Sequence, residues 1–259
     1  SWPTEVGTTS KGVVNDALKI WSDAAKELGI PIIMHYSGVW DYAAILKNPE
    51  YGRVNSPEKQ IDSWIPKDTN SLNRDQNMTC PLSDYTEKVM IRQMKEVIDK
   101  YDVDGFWIDG EFWASEPCYC DRCTELYKEK TNKTHIPTSN QDEDWKLWLE
   151  YSRQNFENHV AEYTRAIHDY KEGVTICSNW MYSMRQPDDV TVDVDYISGD
   201  FSWIWSVSDA EVESRFMSNR GMEWELMAWG FTSHGRMTDW TFKQIPALCQ
   251  EAAVVLSCG

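Results

Sequence analysis

Five short apolar runs, each coupled to a stretch of helical periodicity, constrain this chain more than any other feature. The runs are residues 31–37, 104–109, 174–179, 194–199 and 223–229, and the helical patterns are residues 11–28, 83–101, 144–170, 209–219 and 241–256. Such alternation builds a parallel sheet, because parallel neighbours need a crossover connection and the crossover is usually a helix. Right-handed crossovers narrow the choice to an open sheet or a closed barrel. A closed (β/α)8 barrel needs eight strands. The expectation is an α/β, TIM-barrel-like fold, incomplete in this chain. It forms a single domain over residues 1–259, with about two strands before Ser1 and one after Gly259. Short strands within the polar segment 38–81 are the alternative.

The run 104–109 reads Asp-Gly-Phe-Trp-Ile-Asp. Side chains alternate along a strand, so Phe106 and Ile108 share an apolar face while Gly105, Trp107 and Asp109 point the other way. A carboxylate at the C-terminal end of a barrel strand stands where such barrels keep their chemistry. Asp109 is therefore the first catalytic candidate, and Gly110 is expected to let a bulky ligand approach the backbone. Glycoside cleavage needs a second carboxyl group. Asp200 ends the fourth run, and Glu225 shares one face of the fifth with Glu223, Met227 and Trp229. Glu111 ranks behind both, because two carboxylates on one strand end cannot easily reach opposite sides of a glycosidic bond.

Composition agrees with a neutral ligand. A net charge of −17 argues against nucleic acid and anionic membrane surfaces, which demand basic patches, and no apolar run is long enough to span a bilayer. The 14 tryptophans are an unusual number, of which roughly half suit a core rich in large aromatics. Those at strand ends suit stacking on the C–H faces of sugar rings, with the indole N–H as a hydrogen-bond donor. The candidate binding residues are His35, Tyr36 and Trp40 after the first run, and Trp107, Glu111 and Trp113 around Asp109. Asn179, Trp180, Trp203 and Trp229 complete the set. In the first run Ile32, Met34 and Tyr36 should face the helices, with Ile33, His35 and Ser37 inward. The first helix should bury Val14, Leu18, Trp21 and Ala25 and stop at Gly29.

Seven cysteines cannot all be paired in disulfides. Cys118, Cys120 and Cys123 form a C-x-C-x-x-C run, and Cys80 lies 38 positions before Cys118. Four thiolates make a closed tetrahedral zinc shell, which points to a structural zinc that staples the loop after Asp109 to the start of the preceding helix. Cys177, Cys249 and Cys258 read as small buried hydrophobes. No organic cofactor is implied.

The segment YDVDGFWIDGEFW at 101–113 resembles the α-L-fucosidases of glycoside hydrolase family 29, in which an aromatic-x-Asp-Gly strand end carries the nucleophile. HYSGVWD at 35–41 is similar to their preceding strand. A closer likeness is to a group of hypothetical TIM-barrel glycosyl hydrolases, through NPEY (48–51), Cys80, YDVDGFWIDG (101–110), CYCDRC (118–123) and QEAAVVLSCG (250–259). The cysteine arrangement is also similar to the zinc site of family 42 β-galactosidases. These resemblances imply that Asp109 is the nucleophile on the fourth barrel strand. They leave the acid/base and the sugar open.

The expected function is a retaining, α-L-fucosidase-like glycoside hydrolase acting on oligo- or polysaccharide, with Asp109 as nucleophile and Asp200 or Glu225 as acid/base. Carboxyl groups about 5–5.5 Å apart accompany retention, and about 6.5–9.5 Å inversion. A carbohydrate-binding barrel without catalysis is the first alternative, and a metal-dependent hydrolase using the cysteines is the second. The polysaccharide-degrading likeness suggests a secreted or periplasmic location. Oligomeric state has no signature in the sequence.

Overall fold

The computed structural model describes residues 2–10, 12–56, 78–110, 116–201, 207–233 and 240–259. Packing divides the chain into two compact units, residues 1–175 and 176–259.

In the first unit, helix α1 (Ala17–Leu28) starts at Asp16, whose carboxylate accepts from the Lys19 N–H, and ends at Gly29 in the left-handed conformation (φ 64°). It is shorter than the 11–28 pattern and keeps only part of the expected stripe, Leu18 buried and Ala25 half-buried. Leu18 and Ser22 are inside, whereas Trp21 is 69 % exposed and Val14 precedes the helix in solvent. The cause is polar. Ser22 Oγ donates to Tyr101 O (2.5 Å), and Tyr101 OH donates back to Asp16 Oδ2 (2.8 Å).

Strand β1 (Ile33–Ser37) pairs in parallel with β2 (Gly105–Asp109), register Ile33↔Gly105 through Ser37↔Asp109. Phe106 and Ile108 are fully buried, as the alternation predicts, and Tyr36 is buried on the same side as them. Gly105 is required here, since a Cβ would lie 2.3 Å from Thr175 Oγ1. The polar segment 38–81 contains helix α2 (Tyr42–Lys47) and a 3-10 turn (Pro49–Tyr51). Asp41 caps α2 by accepting from the Ala44 N–H (2.9 Å) and also accepts from Tyr85 OH (3.0 Å). This makes it an architectural carboxylate.

A π turn (Thr86–Met90) leads into α3 (Ile91–Tyr101), which buries Met94, Val97 and Ile98. Helix α4 (Asp121–Thr131) follows the cysteine run, and α5 (Trp145–His168) buries Trp148, Phe156, Val160 and Ile167. Tyr127, Trp148 and Tyr151 form an aromatic cluster between these two helices, with ring centroids 4.7–5.4 Å apart. Strand β3 (Thr175–Ser178) lies at the boundary between the units.

In the second unit, β4 (Ile197–Phe201) pairs in parallel with β5 (Trp224–Ala228), and α6 (Val207–Ser218) connects them. An antiparallel hairpin follows, β6 (Phe231–Ser233) with β7 (Trp240–Phe242), register Phe231↔Phe242. Residues 240–242 therefore form a strand where a helical pattern over 241–256 was expected. Helix α7 (Ile245–Leu256) begins later, with Pro246 in its first turn, where the backbone N–H has no intrahelical partner to lose. Lys243 Nζ and Glu251 form a buried ion pair at 2.6 Å that ties the hairpin to α7. Cys177 is buried as expected, but Cys249 is exposed and Cys258 only half-buried. Cys249 lies on the solvent side of α7, so its burial was wrongly expected.

Candidate active site and metal centre

Asp109 ends β2 directly opposite Ser37 at the end of β1. The two strand ends are joined by Gly38, whose N–H donates to Asp109 O (3.0 Å). Gly110 has φ 77°, a left-handed conformation that only glycine adopts freely. A Cβ there would lie 2.6 Å from Trp40 Nε1. The space that sequence reading reserved for a ligand is thus filled by the Trp40 indole, and the glycine exists to admit it. Ser37 Oγ in turn accepts from the Trp40 N–H and donates to Trp40 O, both 3.2 Å. Trp40 is a wall of the strand end.

His35 and Trp107 lie opposite each other in the β1–β2 register and stack with centroids 5.4 Å apart and planes at 24°. His35 Nε2 meets Asp109 Oδ2 at 3.2 Å, with side chains 63 % and 45 % exposed. The residue expected to bind a hydroxyl is therefore engaged with the candidate nucleophile. Its hydrogen bond to Asp109 raises the His35 pKa above the ordinary imidazole value despite partial burial. The pair lends the folded state stability that is fully present below the unfolded imidazole pKa of about 6.5, and this is lost as pH rises through the higher folded value. In Asp109→Asn the His35 titration, followed by NMR of the ring nitrogens, is expected to move down towards pH 6.5.

Tyr36 stands apart from this group. It is buried on the helix side, and its hydroxyl donates to Gln93 Oε1 (2.6 Å), which makes it a core residue. Glu111, Trp113 and Trp203 lie outside the described residues.

The four cysteines converge. Their sulfurs all lie within 4.8 Å of one another, with Cys80 Sγ 3.4 Å from Cys123 Sγ and 3.8 Å from Cys120 Sγ. A tetrahedral zinc with Zn–S bonds of about 2.3 Å sets sulfurs roughly 3.8 Å apart, whereas a disulfide needs about 2.05 Å. The donor set and its spacing fit a metal. The surroundings fit thiolates as well: the Val54 N–H points at Cys118 Sγ (3.4 Å), and Cys123 sits in the first turn of α4, where the helix dipole favours negative charge. Tyr151 OH donates to Cys123 O (2.9 Å), anchoring the cluster to α5.

In the second unit Asp200 is 6 % exposed and accepts from the Trp229 indole N–H (3.1 Å). Glu225, opposite Ser198 in the β4–β5 register, is exposed and accepts from Ser198 Oγ (2.9 Å). Asn179 bridges to Ser198 beside them. Both of its amide atoms are buried without a hydrogen-bond partner among the described residues. Trp180 and Tyr182 follow with φ 74° and 63°, which is rare for bulky side chains. Trp180 itself is buried, with the Arg185 guanidinium 5.6 Å from its ring centre. Sequence reasoning missed the hairpin aromatics Phe231 and Trp240, whose rings continue from Trp229 at centroid distances of 5.2 and 6.4 Å. The Trp229–Gly230–Phe231 run was the available signal.

The family model described as Alpha-L-fucosidase matches residues 2–198. The chain belongs to the alpha-L-fucosidase family. Its structure is similar to alpha-L-fucosidase isoenzyme 2 from Paenibacillus thiaminolyticus, at TM-score 0.57 and 15 % identity, covering 99 % of this chain and 41 % of that one. It is also similar to the beta-galactosidase from Bacillus circulans sp. alkalophilus, at TM-score 0.61 and 11 % identity, covering 96 % of this chain and 43 % of that one. Both are TIM-barrel glycosidases, and the fold of this fucosidase-family chain is accordingly α/β and TIM-barrel-like. The chain spans about two-fifths of the length of these two structures. A Mycoplasma capricolum protein named "Putative agmatine deiminase" is 28 % identical over 138 residues, 53 % of this chain and 32 % of that protein.

Proposed function

We propose that this chain is a retaining glycoside hydrolase acting on α-L-fucosyl residues of oligo- or polysaccharides, with Asp109 as its nucleophile. The observation that carries the reading is the placement of Asp109. It is a half-exposed carboxylate at the C-terminal end of a parallel strand, hydrogen-bonded to His35, in a chain of the alpha-L-fucosidase family. In the first step the Asp109 carboxylate attacks the anomeric carbon, the glycosidic C–O bond breaks, and an acid gives its proton to the departing oxygen. In the second step the same group, now a carboxylate, takes a proton from water as the water attacks the anomeric carbon and frees Asp109. His35 holds the nucleophile, Trp107 stacks against His35, and Trp40 walls the strand end at Gly110.

Asp200 is the first choice for the acid and Glu225 the second. Asp200 is the more buried of the two, and its carboxylate is held in place by the Trp229 indole N–H (3.1 Å). Asp200→Asn is expected to lower kcat on an unactivated oligosaccharide by about 10²–10³-fold, and on an aryl glycoside with a good leaving group far less. A uniform loss on both substrates would move the acid role to Glu225. The overall reading is tested by NMR of the first-formed anomer released from an aryl α-L-fucoside. Retention is expected, and inversion would contradict the covalent route.

We further propose that Cys80, Cys118, Cys120 and Cys123 hold a structural zinc. A shell of four thiolates leaves no open position for substrate or water, so the metal would supply cohesion to the wall beside Asp109 and no chemistry. The secreted or periplasmic location expected from the sequence is part of this proposal.

A further inference from the structure

The hairpin β6–β7 carries an aromatic surface that the proposed chemistry leaves unused. Side chains alternate on a strand. The register Phe231↔Phe242 and the two-residue step to Trp240 therefore put Phe231, Trp240 and Phe242 on one face. Phe231 and Trp240 meet edge to face at 4.5 Å, and Trp229 packs against both. Phe231, Trp240, Thr241 and Phe242 border an open surface recess of about 360 Å3. Phe242 is 89 % exposed and Trp240 40 %. The hairpin itself is fixed: the Lys243 N–H donates to Gly230 O (3.0 Å), and the buried Lys243–Glu251 pair clamps its base.

What covers these rings follows from their neighbour. Trp229 joins the platform to Asp200 through its indole N–H (3.1 Å). A general acid in a glycosidase stands on the leaving-group side of the scissile bond. We infer that the hairpin platform of Trp229, Phe231, Trp240 and Phe242 binds the sugar on the leaving-group side, so that the chain selects oligosaccharides over glycosides with small leaving groups. This rests on the reading of Asp200 as the acid. Ring faces suit the C–H faces of a pyranose, and a neutral sugar suits a chain of net charge −17.

The test compares two substrates on the full chain: an α-L-fucosylated trisaccharide, and α-L-fucosyl fluoride, whose leaving group carries no ring. Trp240→Ala is expected to lower the ratio of kcat/KM for trisaccharide over fluoride about three- to tenfold, the scale of a lost ring contact, mainly through KM. Trp240→Phe should largely restore it. An unaltered ratio in Trp240→Ala would overturn the platform. If the chain hydrolyses neither compound, titration of its tryptophan fluorescence with the trisaccharide decides. Binding lost in Trp240→Ala would keep the platform while removing the hydrolase reading, and no binding by the wild type would overturn both. Self-association of the wild type that Phe242→Ser abolishes, with the trisaccharide ratio unchanged, would give the surface to a second copy of the chain and overturn the sugar assignment.

Discussion

Asp109→Asn is expected to lower kcat/KM for an aryl α-L-fucoside by roughly 10⁴-fold or more, the scale on which hydrolases lose turnover when a covalent nucleophile is removed. The amide matches the carboxylate in shape, so the β1–β2 register and the Gly38 N–H bond to Asp109 O should survive. The melting temperature should change little, because the lost contact to His35 lies between half-exposed side chains, and exposed ion pairs contribute at most about 1 kcal/mol. Asp109→Gly should then accept azide as an external nucleophile. The azide attacks the anomeric carbon from the vacated side, the aryl oxide departs, and the product is a glycosyl azide of inverted configuration. Loss of turnover without azide rescue would leave Asp109 as a binding carboxylate. Unchanged turnover in Asp109→Asn would remove it from the chemistry altogether.

The second large effect concerns stability. Cys80→Ser is expected to lower the melting temperature by roughly 6–12 °C. This corresponds to about 3 kcal/mol in a domain of this size, a fraction of the ~10–16 kcal/mol that structural zinc supplies to small peptides. Cys80 is the ligand whose loss matters most, because it alone comes from before the π turn while the other three lie on or beside the start of α4. Without it the metal no longer joins the two segments. Elemental analysis should find one zinc per chain, and strong chelation should mimic the substitution. Activity should fall with the melting transition and not before it. Chelation that abolished turnover while leaving the melting temperature unchanged would show a catalytic metal and contradict the closed-shell reading.

The site was legible where a local period or spacing encodes geometry. Period-two alternation in residues 104–109 placed Asp109 on the face opposite Phe106 and Ile108, and the C-x-C-x-x-C spacing brought three sulfurs to one turn. The cysteine cluster also needed a distant partner, and Cys80 supplied it. Features that depend on tertiary partners were not legible. The sequence pattern of α1 gives Trp21 and Ser22 opposite roles to those they take, because the Ser22–Tyr101 hydrogen bond rotates the helix. Gly110 reads as room for a ligand until the Trp40 indole is seen against it. His35 and Asp41 look alike as polar residues near one strand end, yet one contacts the candidate nucleophile and the other caps a helix. The run Trp240–Phe242 was absorbed into a helical pattern because its apolar residues also suit that period, and Pro246 in the first turn of α7 was the cue to the true start. The charged segment Asp121–Thr131 offered little apolar periodicity and still forms α4.

The central claim is a covalent bond between Asp109 and the sugar. Incubation with a slow-turnover 2-fluoro α-L-fucosyl donor, followed by peptide mass spectrometry, tests it most directly. A mass increase of one fluorinated sugar is expected on the peptide containing Asp109 and is expected to be absent in Asp109→Asn. Hydrolysis of α-L-fucosides with no such adduct, or with the adduct on another carboxylate, would contradict it.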